Sequence, residues 1–206
     1  MEQDPTFELS GGALCLDFVN TLGDRGRPET EKLAGYPDLL AFAGQAGLLT
    51  AGEAARLSRR AERDPRAAAA ALGLGRDLRE ALYRIFSALA AGGPPGDADL
   101  ERLNGALPAA LSHLRLERRG TELVWGWTLA EGSLETPLWP ILRSAAELLT
   151  AEERLRVREC AGTACTWLFL DLSRNRSRRW CSMETCGNRA KAHRHYRRKN
   201  EPGAGE

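Results

Sequence analysis

Through the N-terminal half of the chain, apolar residues recur at three- and four-residue spacing, the mark of amphipathic helices. Cys15, Phe18, Val19 and Leu22 fall at i, i+3, i+4 and i+7, one face of a helix that starts after Gly11-Gly12. Asp17, Asn20 and Thr21 share another face of it. Tyr36-Pro37-Asp38 opens a second helix, with Pro tolerated in its first turn and Gly47 ending it. Thr50 and Glu53 form a capping box, predicting a third helix to about Arg63. Asp64-Pro65 starts a fourth, which runs to about Ala90 through Leu78, Leu82, Ile85, Phe86 and Leu89, with Gly73 and Gly75 weakening its first half. After the Gly92–Gly96 loop, Asp97 caps a short helix over Leu100 and Leu103 that Pro108 should stop.

The period then shortens to two. His113–Glu117 and Glu122–Thr128 alternate around Arg119-Gly120 and read as a hairpin, with Leu114 and Leu116 on one face and Trp125 and Trp127 on one face. Residues 137–149 return to the helical pattern, and a second capping box at Thr150 and Glu153 predicts a short helix leading into Cys160. The pattern therefore predicts an α+β fold. A mostly helical N-terminal domain with a β-hairpin spans residues 1–152, a small hairpin-plus-helix module is expected over 153–200, and 201–206 are expected to form a disordered tail.

Composition sharpens this division. The 206 residues are 43% hydrophobic and 28% charged, a globular balance, and the formal net charge of +1 averages two unlike parts. Residues 1–150 carry 16 Lys+Arg against 21 Asp+Glu, whereas 151–200 carry 13 against 5. A net of −5 followed by +8 implies a polyanionic partner for the C-terminal part. The N-terminus is acidic, without the basic and apolar pattern of a signal peptide, and no apolar run nears the roughly 18 residues of a spanning helix. A cytoplasmic protein that stays off the membrane is expected. In that compartment paired cysteines signify metal more often than disulfide.

Four of the five cysteines sit in the basic part: Cys160 and Cys165, fifteen residues, then Cys181 and Cys186. Two C-x4-C pairs satisfy one tetrahedral structural zinc, and four thiolates leave no open position for catalytic water. Two disulfides are the competing reading, and the reducing compartment favours zinc. The intervening stretch reads as a hairpin, with Thr166–Leu170 as one strand, Ser173–Ser177 as the tip and Arg179-Trp180 as the return. Cys15, alone on an apolar face, reads as a small buried hydrophobe. Beyond Cys186 a basic helix places Lys191, Arg194 and Arg198 within a 60° stripe beside His195, with Ala192 and Tyr196 opposite as a seam for docking on the zinc hairpin. Arg174, Asn175, Arg176, Arg178 and Arg179 add polar and basic groups at the hairpin tip. Arg189 reads either as a brace of the zinc loop or as a phosphate contact, and Asn188 as a turn or cap residue. A solvated basic tail is the bland alternative for this stretch.

These residues carry a family resemblance. Cys160…Cys165, Trp167-Leu168-Phe169-Leu170-Asp171, Ser173-Arg174-Asn175, Arg178-Arg179-Trp180-Cys181-Ser182-Met183 and Cys186-Gly187-Asn188-Arg189-Ala190-Lys191 together resemble the CGNR zinc finger family. Leu16-Asp17-Phe18-Val19-Asn20-Thr21 and the helices after it are similar to the ABATE domain that accompanies this finger in bacterial stress-induced transcription regulators. The resemblance implies a bacterial regulator whose finger binds DNA and whose N-terminal domain senses a small-molecule effector. From the residues themselves, Asp17, Asn20 and Thr21 beside an apolar helix have the composition of a ligand pocket, with capping and inter-helix hydrogen bonding as the competing use. A homodimer through the N-terminal domain is expected, because one small module binds weakly against genomic competition. RNA binding by the same surface is the alternative, with Trp167, Phe169 and Tyr196 stacking on bases if exposed. No nucleophile–base pair is visible, so no enzyme is expected.

Overall fold

The computed structural model describes residues 6–128 and 133–200, with backbone alone at 194, 195 and 197–200. Seven α-helices and two small antiparallel sheets occupy these residues. In chain order the helices are α1 (Leu14–Val19), α2 (Tyr36–Gln45), α3 (Ala51–Arg63), α4 (Pro65–Ala90), α5 (Asp97–Leu111), α6 (Trp139–Thr150) and α7 (Asn188–Asn200). Strands β1 (Leu114–Arg119) and β2 (Glu122–Trp127) lie between α5 and α6, and β3 (Val157–Glu159) and β4 (Leu168–Leu170) between α6 and α7. The fold is α+β, mostly helical toward the N-terminus, as the pattern predicts.

Local chemistry sets the helix starts. The Thr50 hydroxyl accepts from Glu53 N–H at 3.3 Å while Glu53 Oε2 accepts from Thr50 N–H at 2.7 Å, and Asp64 Oδ1 accepts from Ala67 N–H at 3.0 Å. Helix α4 passes unbroken through Gly73 and Gly75 because Gly75 lies where the helix meets Leu138, whose Cδ2 would sit 3.1 Å from an added Cβ. Helix α5 does not stop at Pro108 but continues one turn. The carbonyl that proline leaves without an i+4 donor belongs to Asn104, an exposed residue that water can serve.

One core runs through the helices. Phe18, on the six-residue α1, meets Phe42 at 5.6 Å, and Phe7 packs edge-on to Phe42 at 5.4 Å. Cys15 is fully buried here as a small hydrophobe, and burial pushes its thiol up to about 12. Leu22 leaves the helix and forms an isolated bridge with Glu31.

The C-terminal hairpin differs from the predicted one. Strand β4 pairs not with Arg179-Trp180 but with β3, in the register Val157–Leu170, Arg158–Phe169 and Glu159–Leu168. The hairpin therefore encloses the first cysteine pair, not the segment between the two pairs. Two residues, Asp171 and Thr150, account for this. Asp171 turns the chain after β4, its Oδ1 accepting from Ser173 N–H at 2.9 Å and its Oδ2 from Arg178 N–H at 3.1 Å. Thr150, meanwhile, donates its hydroxyl to the Ala146 carbonyl as the last residue of α6, so the predicted capped helix is replaced by a 3-10 turn over Glu152–Arg156. All three residues of β4 are buried, and alternation divides them. Leu168 and Leu170 join the helical core together with Val157, whereas Phe169 joins a second cluster with Trp167, Cys160, Cys181 and Cys186.

Candidate zinc centre and basic surface

The first knuckle spans Cys160–Cys165. Gly162 sits against both pairs: an added Cβ would lie 3.1 Å from Cys186 Sγ and 3.4 Å from Cys160 Sγ. Ala164 takes the left-handed conformation at φ 58°, which bends the chain back to Cys165. The N–H groups of Cys181 and Gly162 donate to Cys160 Sγ at 3.3 and 3.4 Å, the pattern that stabilises a thiolate. In the second knuckle, Ser182 accepts from Thr185 N–H and Gly187 N–H donates to the Ser182 carbonyl at 2.9 Å, closing a tight turn around Cys186.

The four sulfurs lie within 4.8 Å of one another. A Zn–S bond of about 2.3 Å requires tetrahedral edges of about 3.8 Å. Cys165 and Cys181 stand 3.8 Å apart, and Cys181 and Cys186 3.6 Å. Hydrogen bonds from Cys165 and Cys181 pull Cys160 well below the ordinary thiol range, and the same contacts push Cys165 and Cys181 up. Four sulfurs this close cannot all ionise unless a cation sits among them, and zinc deprotonates its thiols outright. The donor set therefore fits one structural zinc with a closed shell.

The helical domain holds both flanks of this centre. Glu159, just before Cys160, accepts from Tyr83 Oη at 3.0 Å and Ser87 Oγ at 2.8 Å, both on α4. Thr166, just after Cys165, accepts from Arg25 N–H and Nη1 at 3.3 Å. Arg25 also caps the Tyr83 ring at 3.6 Å and pairs with Glu80 at 2.9 Å. Beside it, buried Arg79 binds Glu31 through two nitrogens at 2.7 and 2.6 Å and reaches Glu80 at 3.0 Å. Burial pushes Glu31 up, but the bonds from Arg79 and Leu33 N–H outweigh it and hold the carboxyl below its usual range. Sequence reading missed this network. Its trace is there, since Gly75, Arg79, Leu82 and Phe86 share the buried face of α4.

The residues read as a ligand pocket are engaged inside the fold. Asn20 Nδ2 donates to the Leu168 carbonyl at 2.8 Å and its Oδ1 accepts from Leu168 N–H at 2.9 Å, extending the hairpin like a third strand. Thr21 donates to Phe18 O at 2.7 Å and accepts from Arg79 at 3.1 Å. Asp17 Oδ1 accepts from Gly11 N–H at 2.7 Å, and burial raises this carboxyl to about 6 against the pull of that bond. The geometry thus gives all three the capping and tethering use.

The nucleic-acid candidates divide. Arg174, Asn175, Arg176, Arg179, Arg189 and Lys191 are exposed. Arg178 is not available: its guanidinium donates to the carbonyls of Trp180 at 3.0 Å, Ser10 at 3.1 Å and Cys181, and lies 4.3 Å over the Phe169 ring. It is a brace, because those three carbonyls converge on the turn into Cys181. Asn188 donates to the Glu184 carbonyl at 3.1 Å, a turn contact. The seam expected of Ala192 and Tyr196 does not form. Both are exposed, Tyr196 at 69%, and α7 instead meets the Met183–Gly187 turn, because one small and one aromatic residue give this basic helix no apolar stripe to bury. The backbone places 191, 194 and 198 on one face, but the side chains of Arg194, His195 and Arg198 lie outside the described residues, as does the tail 201–206. A groove of about 520 Å³ runs between the first knuckle and α7, lined by Ala161–Thr163, Arg179, Arg189 and His193.

Helical domain and closed four-cysteine centre together define a protein with a structural zinc finger. The chain belongs to the ABATE family: its sequence model, described as "Putative stress-induced transcription regulator", matches residues 12–152, and the CGNR zinc finger model follows over 156–199. A search of curated proteins found no match. Among the described residues no helix is long and apolar enough to cross a membrane.

Proposed function

We propose that this protein is a bacterial, cytoplasmic, nucleoid-associated transcription regulator that binds DNA through its zinc finger, with no catalytic activity. The observation that carries the reading is the placement of cations. Arg174, Arg176, Arg179, Arg189 and Lys191 are exposed on one small metal-bound segment, while the helical domain is net acidic. Phosphate contacts of this kind supply affinity and register, and base discrimination falls to a few of Arg174, Asn175, Arg176 and Lys191. Trp167 and Phe169 are buried in the zinc cluster, which removes two of the three aromatics that a base-stacking RNA mode would use.

The test is binding of the zinc-loaded protein to random duplex DNA and to single-stranded RNA at several salt concentrations. Arg189→Ala with Lys191→Ala should weaken duplex binding at least about tenfold and lower the salt slope by about 2, about 1 for each phosphate no longer neutralised. An unchanged slope would remove this surface from the interface, and tighter binding to RNA would move the reading to the RNA alternative.

A further inference from the structure

A second groove, of about 390 Å³, opens between α4, α5 and α6, far in sequence from the cysteines. Its walls are apolar: Leu74 of α4, Ala106 of α5, and Leu138, Trp139 and Leu142 where α6 begins. Trp139 is backed by His113, stacked at 4.1 Å, and by Trp127 at 6.2 Å, so this wall is held from behind. The volume falls in the range of small-molecule sites.

Two features show what the groove accommodates. Gly105 lies inside α5 on the groove lining, with no left-handed φ to require glycine and no atom beyond its own stretch of helix within 4 Å of where its Cβ would be. Glycine within a helix is unfavourable, and here its effect is to keep the groove open. Charge is the second feature. Glu101 and Glu135 line the groove, and neither forms an ion pair among the described residues. Arg102, the cation of the lining, is already committed to Asp77 at 2.7 Å. Apolar walls with two carboxylates that form no ion pair, one of them beside Arg102, complement a hydrocarbon body carrying a positive charge.

We infer that this groove binds a small apolar amine, its hydrocarbon part against Leu74, Leu138 and Trp139 and its ammonium at Glu101 and Glu135. The site is separate from Asp17, Asn20 and Thr21 and does not depend on the DNA-binding reading. Phenethylamine serves as the probe for the full-length zinc-loaded protein, with phenethyl alcohol and 3-phenylpropionate as neutral and acidic counterparts, read by thermal shift and calorimetry. The amine should raise Tm saturably, the alcohol should bind at least about tenfold more weakly, and the acid should have no effect. Gly105→Leu should raise the Tm of the free protein and abolish the amine shift. Glu101→Gln with Glu135→Gln should reduce the amine to the level of the alcohol. The inference falls if no probe binds, if the acid matches the amine, or if the amine shift survives Gly105→Leu. Should Gly105→Leu fail to fold, undiminished amine binding in the double Gln variant overturns it.

Discussion

At the scale of single residues, the side chains that look free for ligands in the sequence turn out to be the ones that assemble the fold. Asn20 satisfies both backbone groups of Leu168 from 148 positions away in sequence, inside the protein, where neither group has water as a substitute. Asn20→Ala should cost about 2–4 kcal/mol in chemical denaturation, the sum of two buried groups left without partners. A cost below about 1 kcal/mol would mean the hairpin repairs itself. Asp17 gives a pH test. Its folded pKa, about 6, lies above the ordinary value, so the folded state holds a proton that the unfolded chain has released. Stability from this site is full at low pH and is lost as pH rises through about 6. Asp17→Asn removes the titration while keeping an acceptor for Gly11. The variant should therefore be more stable than the parent by about 1–2 kcal/mol at pH 7, after discounting for partial exposure, with the gap narrowing below pH 6 and closing toward about pH 4. A gap that does not change with pH would contradict the assignment. These roles were illegible beforehand because helical periodicity places a polar residue on a face without saying what lies opposite.

Among the elements, legibility follows the range of the interactions. The Thr50–Glu53 capping box, the Asp64-Pro65 start and the β1–β2 hairpin are decided by residues a few positions apart, and the structure has them where the pattern puts them, whereas the box expected at Thr150 and Glu153 does not form. The β3–β4 pairing was not readable. Val157–Glu159 is too short to show a period, and Leu168–Leu170 is an apolar run that announces a strand without its partner. Arg178 illustrates the same limit, since basic composition alone cannot distinguish an outward arginine from one that ties three carbonyls. Arg178→Ala should lower stability by about 2–3 kcal/mol and speed zinc loss to a chelator, and Arg178→Lys should not rescue it, because one ammonium cannot reproduce the guanidinium fork. Arg174→Ala and Arg176→Ala should change stability by less than about 0.5 kcal/mol. If Arg178→Ala is as neutral as these two, the bracing role is wrong.

For the molecule as a whole, the cysteine spacing made the metal centre legible, but its attachment to the helical domain was not. An isolated finger of this size relies on zinc for its stability. Here Val157, Leu168 and Leu170 sit in the helical core, Glu159 and Thr166 are held by α4 and Arg25, and Arg178 reaches back to Ser10. Removing the finger would expose part of the helical core, and removing the metal would leave four sulfurs crowded within 4.8 Å in a hairpin that the core needs. Zinc binding free energy should therefore be shared by the whole described fold, not confined to residues 153–200. Urea unfolding followed by far-UV circular dichroism and by zinc release to a chromophoric chelator should give one coincident midpoint, and chelation in advance should lower the midpoint of the helical signal as well. If zinc leaves in a separate, earlier transition with the helical signal unchanged, the finger is an autonomous unit. The orientation of its arginines relative to the acidic domain would then be set by the chain connection alone, not by a shared core.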